Sequence, residues 1–225
     1  MDTVVILCDG DFPRKAYPLY LLDTADAVVC CDGALVKYLR HTRRRFGAER
    51  LPAAVVGDMD TLSPALQKRY AGLITRIEEQ DDNDQTKALR YVLTHHPEVS
   101  TIHILGGTGR REDHTVGNLS LLMEYPRLFG LAGLPEQSRG PVLDMVSDYG
   151  TMFAVTDTCE LAVGEGRRIS LFSPDNSLTL KSEGLVWPTD DVVFDNWWKA
   201  TLNRASEDIV RLHFSHPSRV LVCLD

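Results

Sequence analysis

The sequence has few cysteines, and their arrangement excludes two common kinds of cross-linked protein. Its 225 residues contain five cysteines, and no two have the CxxC spacing of a zinc site or a dithiol redox motif. The number is odd, and three of the thiols stand in apolar, strand-like runs. We therefore expect buried thiols in a reducing compartment rather than a disulfide framework. The cysteines are Cys8, Cys30, Cys31, Cys159 and Cys223.

Basic residues are also fewer than acidic residues. Lys and Arg number 24 against 32 Asp and Glu, so the formal net charge is -8 and the pI is about 5.4. A protein with this balance lacks a basic face that could neutralise phosphates, which argues against nonspecific binding to nucleic acid or to anionic membranes. The short basic run at residues 41–45 is typical of a solvated helix end.

Long hydrophobic runs are missing as well. Residues 1–3 lead directly into an apolar strand at residues 4–7, without the basic region and long apolar segment of a signal peptide. No stretch has the length of a membrane-spanning helix. We therefore expect a cytoplasmic protein without a membrane span.

The first two thirds of the chain alternate between strand-like and helical patterns. Such alternation is typical of a doubly wound α/β sheet with mainly parallel strands. The helical period disappears after residue 150, where short alternating runs indicate a small antiparallel β-sandwich. The predicted domains are residues 1–149 and 150–225. The strands predicted for the first domain span residues 3–7, 27–31, 53–56, 73–77, 101–105 and 142–147.

Paired acids follow the third predicted strand, in the sequence Gly-Asp-Met-Asp-Thr at residues 57–61. Like charges placed as close as Asp58 and Asp60 repel unless they are protonated or bridged by a cation, and a hard divalent metal is the simplest bridge. Asp32 follows the second strand, and Asp84 stands where a helix cap belongs. A single Asp after a strand is commonly a turn or cap residue, but several at neighbouring strand ends indicate a ligand-binding crevice.

A glycine-rich loop follows the fifth predicted strand at residues 106–109. Glycines let backbone N–H groups approach an anion, the next helix adds the positive end of its dipole, and Arg110 or Arg111 can grip a phosphate at two points. The loop is neither a Walker A motif nor a Rossmann fingerprint. Beside a carboxylate cluster, however, it forms the second half of a magnesium-nucleotide site.

These motifs resemble, in order and spacing, those of the thiamine pyrophosphokinase family. The resemblance rests on residues 32–33, 57–61, 80–87, 106–114 with Asn118, and the Ser-Glu-Gly-Leu-Val-Trp-Pro segment at 182–188. It implies transfer of a diphosphoryl group from ATP to the hydroxyethyl oxygen of thiamine, which yields thiamine diphosphate and AMP. It also implies a homodimer whose contact includes the β-rich domain.

The resemblance assigns a role to each matching position. The residues implied to hold Mg2+ are Asp58, Asp60 and Asp84. Those three, together with Lys87 and Arg111, form the implied catalytic set. The residues implied to bind ATP are Asp32, Gly33, Gln80, Gly106, Gly107, Thr108, Gly109, Arg111 and Asp113. The residues implied to bind thiamine are Ser182, Gly184, Trp187 and Asn203.

The sequence departs from the family pattern at several of these motifs. Arg110 stands where the glycine loop usually has a second Gly, and Met59 and Thr61 replace the usual Phe and Ser. In the run near the thiamine site, Ala200 and Leu202 replace hydroxyl side chains. Two alternatives therefore stay open: a diphosphokinase for another heterocyclic alcohol, such as a hydroxymethyl pterin, and a non-catalytic nucleotide or thiamine sensor. The three tryptophans, Trp187, Trp197 and Trp198, can equally be core or interface aromatics.

Overall fold

The computed structural model describes residues 2–225, which form two compact units. The first unit holds the chain up to Leu119 together with Val146–Asp148. The second holds Ser120–Met145 and Tyr149–Asp225. Both α5 (Glu112–Phe129) and β6 (Val142–Ser147) contribute residues to each unit.

A parallel sheet forms the centre of the first unit. Its order is β5-β1-β2-β3-β4, and every neighbouring pair is parallel. The inner strands are buried on both faces, which is why they appear in the sequence as unbroken apolar runs. This confirms the mainly parallel sheet of the predicted fold class. The strands are β1 (Thr3–Leu7), β2 (Ala27–Cys31), β3 (Ala54–Gly57), β4 (Ile74–Arg76) and β5 (Thr101–Leu105).

Helices cover both faces of that sheet. Side chains of α1 (Ala16–Thr24) and α2 (Ala34–Phe46) share a core with alternate residues of the strands, including Val5 and Val28. Meanwhile α4 (Asp84–His95) packs on β1, β2 and β3 with its buried apolar residues. The arrangement is doubly wound, as predicted. None of the helices within residues 2–225 is long and apolar enough to cross a lipid bilayer.

The starts of two helices follow from capping chemistry. Ser63 accepts a hydrogen bond from the main-chain N–H of Leu66 and Pro64 takes the first position, so α3 (Pro64–Arg69) begins as the sequence predicts. The predicted cap of α4 is wrong by one residue. The side chain of Asn83, not that of Asp84, accepts the bond from Thr86 N, at 3.0 Å. Asp84 is therefore the first helical residue, and its carboxylate is free for other contacts.

The antiparallel strands of the second unit lie in two sheets, in the orders β11-β9-β13-β7 and β10-β12-β8. Residues of both sheets, among them Leu171 and Val210, belong to one buried core, so the predicted sandwich is confirmed. Residues 200–204 form a short strand whose pairing register shifts between Ala200 and Asn203, and their sequence lacks the regular alternation of the other strands. The strands are β7 (Gly150–Val155), β8 (Cys159–Ala162), β9 (Arg168–Phe172), β10 (Leu180–Glu183), β11 (Ala200–Arg204), β12 (Ile209–Phe214) and β13 (Val220–Leu224).

A carboxylate fastens two loops of this sandwich together. Asp175 accepts hydrogen bonds from Ser177 in its own loop, and from Ser218 and His216 in the turn between β12 and β13. The bonds from Ser177 and Ser218 are the main reason that the pKa of Asp175 is depressed far below its ordinary value. A depressed pKa stabilises the fold above the unfolded pKa of about 3.9, and that stabilisation is lost as the pH falls further.

We expect Asp175→Asn to lower the free energy of unfolding by about 1 kcal/mol at pH 7, because the charged acceptor is lost. Thermal melts of both proteins between pH 7 and pH 2 should converge at the acid end. Asp195→Asn is a control, since Asp195 is an exposed acid whose one ion pair, with Lys199, lies on the surface. A constant difference between the melting temperatures across the pH range would contradict the proposed role of the Asp175 charge.

Candidate active site

The carboxyl ends of β2 and β3 bring three acids together. Asp32 follows β2, and Asp58 and Asp60 follow β3. Each of the three offers an oxygen, and these oxygens all lie within 4.8 Å of one another. The resemblance implies that Asp58 and Asp60 hold a metal together with Asp84, and the structure brings Asp32 to the same point.

Asp84 lies beside this cluster, against Gly57. A Cβ at Gly57 would stand 3.2 Å from Oδ1 of Asp84 and 3.3 Å from Cβ of Asp32. Gly57 also has a φ of 151°, which a residue with a side chain rarely adopts. A glycine at this position therefore lets the carboxyl ends of β2 and β3 and the start of α4 approach closely.

Two side chains hold the loop that carries the paired acids. Gln67 on α3 donates to the main-chain oxygens of Met59 at 2.9 Å and Leu62 at 2.7 Å. Arg76 at the end of β4 donates to the main-chain oxygen of Asp58 at 2.6 Å. Met59 is buried with a φ of 67°, so the loop is tightly specified. Sequence analysis did not identify Gln67 or Arg76, because nothing local marks a side chain that bonds a distant backbone.

The acids differ in their surroundings. Asp32 is 2% exposed and burial raises its pKa; one of its carboxylate oxygens accepts from Thr61 N, while Oδ1 is buried without a hydrogen-bond partner among the described residues. Burial is also the main reason that the pKa of Asp84 rises to about 6, and Asp32, Asp58 and Asp60 add to the effect. The pKa of Asp58 is lowered, chiefly by the hydrogen bond from Gln80.

These surroundings suit a hard divalent cation. Carboxylate oxygens are the preferred ligands of Mg2+, and the cluster provides several of them around one point. A buried oxygen without a partner, as on Asp32, is costly unless something else satisfies it. The donor set therefore fits the magnesium ion that the sequence predicts.

One buried cation faces these acids. Lys87 on α4 is 2% exposed, and its Nζ donates to the main-chain oxygen of Ile77 at 3.2 Å. Its positive charge lowers the pKa values of Asp58 and Asp84. Because a buried ammonium is stable only beside compensating groups, Lys87 and the acids depend on one another.

The glycine loop packs against the turn that follows β1. Gly106 has a φ of 66°, and a Cβ there would stand 2.6 Å from the main-chain oxygen of Cys8. Gly10 N donates to Gly106 O at 2.9 Å, and Asp11 N donates to Thr108 O at 2.8 Å. Gly109 N donates to Thr115 Oγ1 at the start of α5. The loop is therefore held by the main chain of the turn after β1 and by the hydroxyl of Thr115, and only glycine fits at Gly106.

A buried asparagine connects this loop to the helix that carries Lys87. Asn118 on α5 donates through Nδ2 to Gly107 O at 2.7 Å, and its Oδ1 accepts from Asn83 Nδ2 at 2.7 Å. Its main-chain oxygen accepts from Gln85. Asn118 therefore positions the glycine loop relative to the start of α4. The sequence included Asn118 in a motif, but only the structure assigns it this contact.

Arg111 and Asp113 lie at the exposed start of α5. Two nitrogens of Arg111 donate to both oxygens of Asp113, and this pairing raises the pKa of the arginine and lowers that of the acid. Neither side chain hydrogen-bonds to the acid cluster within the described residues. Asp32 and Gly33, in contrast, contact Thr61 directly: its N–H donates to Asp32, and its hydroxyl accepts from Gly33 N at 3.0 Å.

The predicted thiamine-binding residues lie in the second unit. Asn203 donates to Trp187 O at 2.6 Å and accepts from Trp187 N at 3.2 Å, so it fixes the backbone of the tryptophan. The Trp187 side chain is on the surface, with 59% of the residue exposed, and is not a core residue. Ser182 is buried and accepts from Thr189 N, and Gly184 has a φ of 77°. Ser182 and Gly184 therefore shape the local backbone.

Comparison with known families gives two matches along the chain. The profile described as "Thiamin pyrophosphokinase, catalytic domain" matches residues 19–129. The profile described as "Thiamin pyrophosphokinase, substrate-binding domain" matches residues 150–222. Together they cover most of the sequence.

Curated relatives from plants match part of the chain. "Thiamine pyrophosphokinase 1" of Oryza sativa subsp. japonica is 30% identical over 140 residues, which are 55% of this chain and 52% of the relative. "Thiamine pyrophosphokinase 1" of Arabidopsis thaliana is 35% identical over 83 residues, which are 33% of this chain and 31% of the relative. The chain thus spans about half, or less, of the length of the curated relatives it matches.

Solved structures share the fold over nearly the full chain. A thiamin pyrophosphokinase from Candida albicans superposes with a TM-score of 0.72 at 18% identity, covering 99% of this chain and 88% of that one. The yeast enzyme gives a TM-score of 0.74 at 17% identity, with coverage of 100% and 86%. At such identities the likeness concerns the fold alone.

Proposed function

This chain belongs to the thiamin pyrophosphokinase family, and on that premise we propose that it transfers a diphosphoryl group from ATP to thiamine, forming thiamine diphosphate and AMP. The observation that carries the proposal is the cluster of Asp32, Asp58 and Asp60 beside a glycine loop. In this cluster Oδ1 of Asp32 is buried and has no hydrogen-bond partner among the described residues. The proposed division of labour places ATP and metal binding in residues 1–149. Residues 150–225 are proposed to bind thiamine and a second subunit.

The proposed metal ligands are Asp58, Asp60 and Asp84, with Asp32 added by its place in the cluster. A bound Mg2+ would neutralise charge on the phosphates of ATP. Lys87 adds a fixed positive charge from within the protein, where low polarity strengthens its effect. The glycine loop offers backbone N–H groups to the phosphates, and Gln80 holds the carboxylate of Asp58 in place.

The remaining proposed contacts come from the surface. Arg111 is paired with Asp113, and we infer that a phosphate can replace the carboxylate at the same two nitrogens. Asp32 and Gly33, joined through Thr61, border the nucleotide in this proposal. The protein thus acts mainly by positioning the alcohol of thiamine in line with the β-phosphorus, and no covalent intermediate is needed.

Incubation with Mg2+, ATP and thiamine tests the proposal, with nucleotides followed by phosphorus NMR. We expect AMP in equal amount to thiamine diphosphate, because attack occurs at the β-phosphorus. Thiamine-dependent formation of ADP would refute diphosphoryl transfer. Replacing thiamine by a hydroxymethyl pterin tests the other acceptor class, and tight binding of both substrates without product would indicate a sensor.

Trp187 is the proposed platform for the ring system of thiamine. Its indole is exposed while Asn203 fixes its backbone, which suits stacking on a cationic thiazolium. We expect Trp187→Ala to raise the KM for thiamine about 2- to 30-fold, in line with ~0.5 to 2 kcal/mol for a cation-aromatic contact, and to leave the KM for ATP unchanged. Tyr20→Ala is the control, since Tyr20 is an exposed aromatic residue on α1, outside the proposed thiamine site and dimer contact. Equal changes in both KM values would contradict the stacking role.

We also propose a cytoplasmic homodimer. The second unit exposes several large apolar side chains besides Trp187, including Val193, Trp198 and Leu202, and exposed aromatic anchors are typical of interfaces. If the thiamine site draws Trp187 from one subunit and the acids from the other, mixing Trp187→Ala chains with Asp58→Asn chains should restore activity at thiamine concentrations far below the KM of the Trp187→Ala protein. Verified subunit exchange without recovery would mean that each chain builds its own site.

A further inference from the structure

Asp9, which follows β1 by two residues, is held by two cations to which the proposed function gives no role. Nζ of Lys37 on α2 lies 2.8 Å from Oδ1 of Asp9 and donates to the main-chain oxygens of Asp9 and Gly10. Nη1 of Arg110 donates to the main-chain oxygen of Asp9 at 2.8 Å and contacts its Oδ2. One carboxylate therefore carries a cation on each oxygen.

This group lies in the crevice beside the acid cluster. A Cβ at Gly33 would stand 3.1 Å from Oδ2 of Asp9 and 2.8 Å from the hydroxyl of Thr61. Thr61 in turn donates to Asp32, a member of the cluster. The Asp9 carboxylate and Thr61 thus border the same glycine, and Thr61 connects that glycine to Asp32 of the acid cluster.

Arg110 occupies an unusual backbone position. Its φ is 63°, in the left-handed region that a residue with a side chain adopts at a cost in energy. The residue before it, Gly109, has a φ of 80° and packs against Asp11. An arginine therefore stands where the backbone favours glycine, which points to a role for its side chain.

The guanidinium of Arg110 has donors to spare. Both of its contacts use Nη1, while Nε and Nη2 donate to no group within the described residues. Arginine presents five donors in a rigid fork, so a second anion can be bound at two points without release of Asp9. Arg111 differs, because Asp113 already occupies its fork.

We propose that Arg110 and Lys37, positioned by Asp9, form an additional subsite for the terminal phosphates of a nucleoside triphosphate. The inference rests on the proposed function, which supplies the nucleotide. It gives Arg110 a phosphate contact of its own beside Arg111, and it adds Lys37 and Asp9, which lie outside the family motifs. Arg110 binds phosphate oxygens through Nε and Nη2. Lys37 contributes a point charge, and Asp9 is a positioning residue that orients both cations. Two cations and one carboxylate leave a net positive charge where the acid cluster would otherwise repel phosphate.

Calorimetric titration measures nucleotide binding at the subsite while no reaction takes place. The probes are the Mg2+ complex of α,β-methylene-ATP, whose bridging carbon blocks transfer, and AMP, which lacks the terminal phosphates. We expect Arg110→Gln to weaken the triphosphate analogue about tenfold, as befits one charge-assisted contact, and to leave AMP unchanged. Arg110→Gly should show the same loss although it relieves the backbone. Arg44→Gln, at an exposed arginine on α2, is the control.

The outcomes are distinct. Unchanged binding of the analogue to both Arg110 variants, or a loss shared equally by AMP, would overturn the subsite. Normal binding to Arg110→Gly with weak binding to Arg110→Gln would trace the effect to the backbone and would also overturn it. Failure of the unaltered protein to bind the analogue at all would instead refute the proposed function, and the subsite with it.

Discussion

We expect Asp58→Asn and Asp60→Asn each to lower kcat/KM by at least about 100-fold while the protein stays folded. Each change removes one of the carboxylates that converge within 4.8 Å, and a metal contribution of several kcal/mol to catalysis corresponds to this range. The fold should tolerate either change, because Asp60 is exposed and the amide oxygen of Asn at position 58 can still accept one of the two hydrogen bonds that Asp58 receives, from Gln80 and from Asp60 N. Initial rates at saturating Mg2+ measure the effect.

A second measurement separates lost metal binding from other causes. Mg2+ that binds only the folded state raises the melting temperature, and this rise should shrink in both variants. Without metal, Asp60→Asn should be at least as stable as the parent, since one of several repelling charges is gone. Asp58→Asn should be slightly less stable at pH 7, because the lowered pKa of Asp58 means that its charged form stabilises the fold. Glu98→Gln is a suitable control, because Glu98 is an exposed acid that precedes β5 at the opposite end of the strand. Near-normal turnover in either Asp variant would remove the basis of the metal assignment.

Lys87→Met should have an effect of similar size on activity and, in addition, a large effect on stability. Lys87 is buried, and its charge offsets the acids around it, as the pKa values of Asp58 and Asp84 indicate. Removing a buried cation leaves its partners uncompensated, which we expect to lower the free energy of unfolding by about 2–3 kcal/mol in the absence of metal. Activity should fall at least about 100-fold, because a preorganised charge beside the phosphates is lost.

Metal should partly reverse the loss of stability in this variant. Added Mg2+ supplies positive charge to the same acids, so its stabilising effect should be larger in Lys87→Met than in the parent protein. Thermal melts with Mg2+ and with EDTA measure this difference. Lys68→Met, at an exposed lysine on α3, controls for the loss of a charge at the surface. Unaltered stability in EDTA would show that Lys87 does not balance the acids.

Much of the first unit could be predicted because its strands are buried on both faces. Such strands appear as continuous apolar runs, and β1, β2 and β5 lie at the predicted residues. Their carboxyl ends meet at one edge in a parallel sheet, so polar residues that follow them are expected to converge. The convergence of Asp32, Asp58 and Asp60 follows from that rule.

Other features of the candidate site depend on contacts between distant residues. Arg110 meets Asp9 across 101 positions, and Asn118 meets Asn83 across 35. Asn83 rather than Asp84 caps α4. Because Asn and Asp have similar capping ability, the sequence does not distinguish these two adjacent residues. Strand β11 contains a bulge and shows little apolar alternation, so its sequence does not indicate a strand. Its pairing with β9 is what makes it one.

The sequence by itself determined the fold class, the strand-end acids, the glycine loop and the family, because apolar periodicity and short motifs are local properties. The tertiary structure alone decided that Lys87 is buried beside these acids and that Arg110 pairs with Asp9. The physical reason is that burial and hydrogen bonding depend on which chain segments become neighbours. The packing of the whole unit decides which segments become neighbours, and no local sequence pattern at an individual residue indicates the outcome.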